Sequence, residues 1–429
     1  MTARRVTWPR VGLALVVLAA AAAALVAWLN VRGEEPLGGS AESFVATPEQ
    51  VARGEYLARA GNCAACHTDR GGAAYAGGKG IATPFGTVYA SNLTPDAKTG
   101  IGTWSAAKFW RALHNGRSAD GHLLYPAFPY PNFTEITRHD ADALFAFLRS
   151  QVPVAQANRA HALRFPYDLQ ASLAVWRALF FAPGVYEPVV ERSQQWNRGA
   201  YLVRALGHCA ACHSPRNAFG ATRESLELSG GLIPLQNWYA PSLAAGAEAG
   251  VADWSDADVA ALLKTGFTPR GAALGPMAEV VFRSTQHLDD ADIAAMTAFL
   301  KSLPQAAPHA VAAPVVDKDV RAHGAALYKD RCAACHGADG EGGSSPQGVV
   351  YVPLAGNRKV LLDSPANLIH IVVNGGFPPT TAGNPRPYGM PPFGPSLKDD
   401  EIAVLATYVR AAWGNAAPPV SALDVLEAR

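Results

Sequence analysis

Cysteine is scarce in this chain of 429 residues, and none of it is scattered. All six cysteines fall in three copies of Cys-Ala-Ala-Cys-His, at Cys63 to His67, Cys209 to His213 and Cys332 to His336. No cysteine remains to pair across the chain, which excludes a disulfide scaffold. A charge excess is missing as well: 36 basic against 35 acidic residues leave a net +1, so neither nucleic acid nor a strongly acidic partner is indicated. Methionine is limited to four residues. Nucleotide and hydrolase motifs are incomplete. The Gly-Gly-Lys in Gly72 to Gly80 is followed by Gly80 where a phosphate loop needs Ser or Thr. Gly342-Gly343-Ser344 lacks the glycine that would finish a nucleophile elbow.

What is present is the repeated pentapeptide. Two thiols three positions apart can each add to a vinyl group of one porphyrin, and the histidine after the second can turn its imidazole onto the iron. A bare C-x-x-C also serves zinc sites and redox dithiols, but neither needs a histidine at that position three times over. Cys63, Cys66, Cys209, Cys212, Cys332 and Cys335 are therefore read as attachment points for three c-type haems, with His67, His213 and His336 as axial ligands. The first cysteines lie 146 and 123 residues apart, dividing the chain into three units. Length alone gives the same count at roughly 100 to 200 residues per domain. Gly 40 and Pro 32 suit a mostly α fold of short helices joined by long loops.

The units repeat beyond the haem motif. Arg53-Gly54-Glu55-Tyr56-Leu57, Arg198-Gly199-Ala200-Tyr201-Leu202 and Gly324 to Tyr328 each open a unit as a short helix whose glycine admits a crossing helix. A middle helix runs from Trp104-Ser105 to Gly116 and from Trp254-Ser255 to Gly266, with Ser as N-cap and Gly as stop; Ser364 to Gly375 matches it. Each unit closes on a helix with apolar residues at helical spacing. In these helices Phe147, Phe299 and Tyr408 hold equivalent places, poised to pack on the opening glycine. The expected boundaries are 45–153, 192–305 and 317–416, with a connector over 154–191 and a second over 304–316. The apolar stretch Leu173 to Ala182 reads as a helix between haem domains or against a partner.

A sixth iron ligand is sought among the methionines, whose sulfur raises the reduction potential relative to histidine. Met390, in Tyr388-Gly389-Met390-Pro391-Pro392, and Met277, in Gly275-Pro276-Met277, both follow a middle helix on an expected loop. Met296 reads as core. Unit one has no methionine after its haem site: the matching stretch Tyr125-Pro126-Ala127-Phe128-Pro129-Tyr130 carries Phe128, which cannot donate to iron. Haem one is then five-coordinate or ligated by another residue, and His122, on the same loop, is the foremost histidine. His114 reads as a surface or propionate-side residue, and His139 is the third histidine nearby. Behind the axial histidines, Pro241 and Pro353 offer carbonyls to orient the rings, with Ser91 in the corresponding place of unit one.

The N-terminus is separate. Arg4, Arg5 and Arg10 precede the uncharged run Val11 to Leu29, whose 19 residues give roughly 28 Å of helix, close to the hydrocarbon thickness. Positive charge before it orients the remainder outward. Ala20 to Ala24 offers a cleavage site, but cutting there leaves Leu25 to Leu29 as an apolar stub, so residues 1–31 read as a retained signal anchor rather than a cleaved peptide. A Gly-rich linker, Arg32 to Ser40, follows.

Several loops carry a wider resemblance: Thr83-Pro84-Phe85-Gly86-Thr87, Asn92-Leu93-Thr94-Pro95-Asp96, Ser284-Thr285-Gln286-His287-Leu288 and Thr381-Ala382-Gly383-Asn384-Pro385-Arg386-Pro387-Tyr388-Gly389-Met390. With these the chain resembles the three-haem cytochrome c subunit of bacterial membrane-bound dehydrogenases that act on alcohols, gluconate or sorbitol. The resemblance implies three tandem class I cytochrome c domains and a periplasmic place on the inner membrane. It also implies electron passage from a catalytic subunit to ubiquinone. Tyr-Pro-Ala-Phe-Pro-Tyr in place of Tyr-Pro-Ala-Met-Pro-Tyr is similar to cytochrome subunits paired with molybdenum hydroxylases, which implies a molybdopterin and iron-sulfur partner oxidising aldehydes or N-heterocycles. Against this non-catalytic reading stand a haem peroxidase working at an open haem one and a direct donor to a terminal oxidase.

Overall fold

The computed structural model describes residues 8–37, 44–306, 315–345 and 350–429. Arg4 and Arg5, residues 38–40 of the expected linker and most of the second connector lie outside them. The fold is mostly helical, with short antiparallel strand pairs between helices. It divides into two compact units, the first formed by residues 1–54 and 67–186 and the second by 55–66 and 187–429. Two of the three sequence repeats thus share the second unit.

In the first unit the helix Trp8–Val31 is long and apolar enough to cross a membrane. Its end is fixed to the domain. The buried Asn30 donates from Nδ2 to the Val26 and Ala174 carbonyls at 2.8 and 2.9 Å, and accepts from Arg177 Nε at 2.9 Å. Arg177, itself buried, also reaches the Gly116 carbonyl at 3.3 Å. Arg117 donates to the Asn30 carbonyl at 2.9 Å and to Glu34 at 2.6 Å, and Arg138 pairs with Glu35 at 3.1 Å. The start of the Gly-rich linker is therefore pinned through Glu35 by charge-assisted bonds. Leu173 to Ala182 is helical as far as Phe180, and the helix Gln170–Phe180 packs on the end of the N-terminal helix. Residues 154–163 also return to this unit. Asn92 and Thr94 both reach the Val154 carbonyl, and Ala162–Leu163 pairs with the strand Gly86–Tyr89, passing so close to Gly86 that a Cβ there would lie 2.7 Å from Leu163 Cα.

The helix crossing predicted from the glycines is present in every repeat. A Cβ at Gly54 would lie 2.6 Å from the Ala143 carbonyl carbon and 2.7 Å from Phe147 Cβ. At Gly199 the same atoms belong to Ala295 and Phe299, at 2.5 and 3.0 Å, and at Gly324 to Val404 and Tyr408. An arginine beside two of the glycines grips the closing helix: Arg53 Nε meets Asp140 at 2.7 Å, and Arg198 holds Asp292 with two bonds of 2.8 and 2.6 Å. Asp292 further accepts from Tyr56 at 2.7 Å, which ties residues 55–66 to the second unit. Burial and this carboxylate push the Tyr56 hydroxyl well above the ordinary phenol range. Asp292→Asn is expected to destabilise the second unit by about 2 kcal/mol, below the figure for a fully buried pair because Arg198 keeps 30% of its side-chain exposure. Urea titration followed by haem absorbance checks this.

The repeats differ by single residues before the haem motif. Gly54 precedes Cys63 by nine positions, Gly199 precedes Cys209 by ten and Gly324 precedes Cys332 by eight. The extra residue of the second repeat is absorbed in a π-helical turn, Leu202–Leu206, which leaves the crossing and the haem motif in register. The third core takes in Val420, Val425 and Ala428, beyond residue 416 where the sequence repeat ends.

Candidate haem-attachment sites

Each site begins where the opening helix stops. In the first two repeats the stop is a residue with positive φ, Asn62 at 51° and His208 at 38°, residue types that tolerate the left-handed region better than most. A single helical turn follows: Cys63–His67, Ala210–His213 and Ala333–His336. Residues three apart on such a turn share a face, which brings the two thiols of each motif to one side.

The three motif imidazoles are fixed in the same manner. Nδ1 donates to a backbone carbonyl: His67 to Ser91 at 2.7 Å, His213 to Pro241 at 2.7 Å and His336 to Val352 at 3.0 Å. The first two acceptors are those the sequence indicated; in the third it is Val352 rather than Pro353. A donated Nδ1–H leaves Nε2 as the unprotonated nitrogen, the one available to a metal. Burial lowers the pKa of all three rings, outweighing the carbonyl bond that favours the charged form, so they are neutral at pH 7.

The thiols point to the same chemistry. Burial, with the neighbouring cysteine second, pushes Cys63 and Cys209 up to about 12 and Cys332 up to about 11. Among the described residues no group of three or more His, Cys, Asp and Glu is arranged to hold a bare metal ion. A thiol pair beside an oriented imidazole in each motif suits a porphyrin that brings its own iron.

A feature not read from the sequence completes each site. Gly77, Gly230 and Gly342 donate their N–H to the carbonyls of His67, His213 and His336 at 2.8, 2.7 and 2.8 Å. All have positive φ, 78°, 89° and 75°, and a Cβ on Gly77 would lie 2.5 Å from the Ser91 carbonyl carbon. They press the returning chain onto the histidine. Their distances from it, 10, 17 and 6 residues, share no spacing that a sequence comparison would register.

Beyond the haem turns the middle helices stop at Gly116 and Gly266 with φ of 57° and 73°. The Gly116 carbonyl accepts from Leu124 at 2.8 Å, and that of Gly266 from Ala273 at 2.7 Å. Phe128 is four residues past the first pairing and Met277 four past the second, which makes the two positions equivalent. Met277 is not on a loop but in the first turn of the helix Pro276–Arg283. Met390 pairs its own backbone with Gly376, at 3.0 and 2.8 Å, and packs on the third core. Phe128 lies with its ring centroid 5.4 Å from that of Phe133. His122 sits on the turn between paired Arg117 and Leu123, half exposed, with Nδ1 2.5 Å from Asp120. That contact leaves Nε2 as its only nitrogen for iron. His139 is exposed, 3.5 Å from Asp140. His114 is not a surface residue: it is buried, stacked on Trp110 at 4.4 Å, and donates to the Thr134 carbonyl at 2.7 Å. Met296 is buried core.

Three repeats of one helix crossing, one oriented imidazole and one thiol pair define a multihaem c-type cytochrome. The chain belongs to the cytochrome c family, whose pattern matches residues 51–151, 197–304 and 322–413, and it carries three covalently bound c-type haems. It is 38% identical to the cytochrome c subunit of a quinone-type alcohol dehydrogenase of Gluconobacter oxydans over 91% of this chain and 84% of that one. With the gluconate 2-dehydrogenase cytochrome c subunit of Pantoea cypripedii it shares 39% identity, covering 88% and 89%. It is 45% identical to a nicotinate dehydrogenase subunit of Pseudomonas putida over 83% of its length, but spans only 30% of that longer protein.

Proposed function

We propose that this chain is the electron-transfer subunit of a periplasmic dehydrogenase complex, held at the inner membrane by its retained N-terminal helix, and that it passes electrons from a catalytic subunit to ubiquinone. Bound haem supplies a one-electron iron couple; the protein's part is to hold three of them and to keep substrates away from the irons. The observation that carries the reading is the threefold Nδ1–carbonyl fixation of His67, His213 and His336. Met277 and Met390 are the proposed sulfur ligands of haems two and three, which saturates those irons and suits outer-sphere transfer. Haem one, with Phe128 in the equivalent place, has no sulfur ligand and a lower potential, and His122 is the residue placed to reach it.

The second unit supports transfer between sites. Gly61, two residues before Cys63, lies in contact with the Leu206 carbonyl, three residues before Cys209; a Cβ there would be 3.5 Å from it. The loops that orient His213 and His336 line one cleft, through Pro241 and Pro353. For the catalytic partner, the name of the nicotinate dehydrogenase relative fits an enzyme acting on an N-heterocycle, as Phe128 also indicates. Alcohol and gluconate dehydrogenases are the second group.

Purification from native membranes is expected to bring a catalytic dehydrogenase subunit, with its iron-sulfur partner where the enzyme is a molybdenum hydroxylase. Its substrate should reduce all three haems and added ubiquinone. The chain alone should reduce no quinone with that substrate. Peroxide turnover by the isolated chain would replace this reading with a haem peroxidase.

A further inference from the structure

We propose that the helix Gln170–Phe180 and the turn before it lie in the head-group layer of the membrane, as a surface contact beside the spanning helix. The proposal rests on the retained-anchor reading above. Asn30 follows directly on the apolar run that ends at Leu29, and that run is long enough to fill the hydrocarbon layer, so Asn30 stands at its outer boundary. Its Nδ2 meets the Ala174 carbonyl at 2.9 Å, which sets the middle of the helix Gln170–Phe180 at the same level.

The face this helix turns outward is apolar. Ala171, Val175 and Leu179 recur every four residues; Leu179 is 68% exposed and Val175 47%. The only charged residue between Leu169 and Tyr186 is Arg177, and its side chain is buried against Asn30 and Gly116. A helix facing water carries charge on its outer stripe, whereas this one has none there. Before it, Phe165, Tyr167 and Leu169 are also exposed, and Trp28 projects from the spanning helix close to the same level. Aromatic rings gather at this depth of a bilayer. Arg164 precedes the segment and Glu187 follows it, and the only acidic residue within it is Asp168, on the turn before the helix. Continuity with the spanning helix favours lipid over a protein as the occupant, since that helix brings the bilayer to this height on its own.

The test uses the full, haem-loaded chain in vesicles of phosphatidylethanolamine and phosphatidylglycerol doped with a phospholipid carrying a photoreactive acyl chain, with adducts mapped by mass spectrometry. Adducts are expected on residues 165–182 as well as on 11–29, and not on the exposed Phe219 segment of the second unit. A Val175→Asp, Leu179→Asp variant should lose the first set and keep the second, with its visible spectrum unchanged. Adducts on 11–29 alone overturn the proposal and leave the anchor reading intact. Adducts on 165–182 without 11–29 defeat the anchor reading instead. Absence from both overturns both. Adducts on 165–182 that vanish when the dehydrogenase complex is intact would assign the face to a protein partner and overturn the proposal.

Discussion

A Gly199→Ala variant is expected to lose the second haem domain. The added methyl would sit 2.5 Å from the Ala295 carbonyl carbon and 3.0 Å from Phe299 Cβ, contacts with backbone and with the root of a side chain. Neither can swing aside, so the opening and closing helices must separate. Overpacking a core costs typically about 1–3 kcal/mol, and a clash with main chain lies at or above the upper end. Separation also strains the Arg198–Asp292 pair, which bridges the same two helices. Against a total stability of about 5–15 kcal/mol, the sum is large. Gly54→Ala should behave alike, since Ala143 and Phe147 stand at 2.6 and 2.7 Å. Gly324→Ala should be milder, because its main-chain contact is looser, the Val404 carbonyl oxygen standing at 3.0 Å, although Tyr408 Cβ at 2.5 Å is as fixed as Phe299 Cβ. Haem content per chain and melting followed in the visible bands give the ranking. A Gly199→Ala protein with full haem and an ordinary melting temperature would contradict the crossing.

Phe128→Met is expected to turn the first haem into a copy of the second. Leu124 and Ala273 make the same bond to the glycine that ends their middle helices, and the side chain four residues later is Phe128 in one case and Met277 in the other. A thioether there should raise the potential of haem one toward the other two, seen as the loss of the lowest wave in a redox titration. Phe128→Met should leave that haem closed to carbon monoxide whichever form the native site takes. His122→Ala separates the two forms of the native site. If carbon monoxide binds only in the variant, His122 is the native ligand; if it binds in both, the iron has no sixth side chain. Three equivalent methionine-ligated haems in the native protein would overturn the assignment of Phe128.

The haem turns, the helix crossings and the caps Ser105 and Ser255 were legible because each is a local pattern repeated at a fixed offset. Tertiary partners were less so. The carbonyl that orients His336 comes from Val352 because the third repeat reaches the ring by a shorter loop, and one residue of shift changes the acceptor. Of the two places read for His114, surface or propionate side, burial removes the first; an imidazole's burial depends on what stacks upon it, here Trp110, and on the Thr134 carbonyl. The loop motifs signalled kinship without disclosing purpose. In the structure Asn92 and Thr94 clasp the returning chain at Val154, Ser284 holds the Ala60 carbonyl, and Thr381 reaches the Thr265 carbonyl of the preceding repeat. Such long-range contacts leave no periodicity to read.

The buried joint of Asn30, Arg177 and Gly116 makes the N-terminal helix a bracket, not a leash. A domain on a slack tether sweeps a hemisphere and meets its redox partners by wandering. On the proposed anchoring, the joint would hold the first haem domain at one heading to that helix instead of letting it swing.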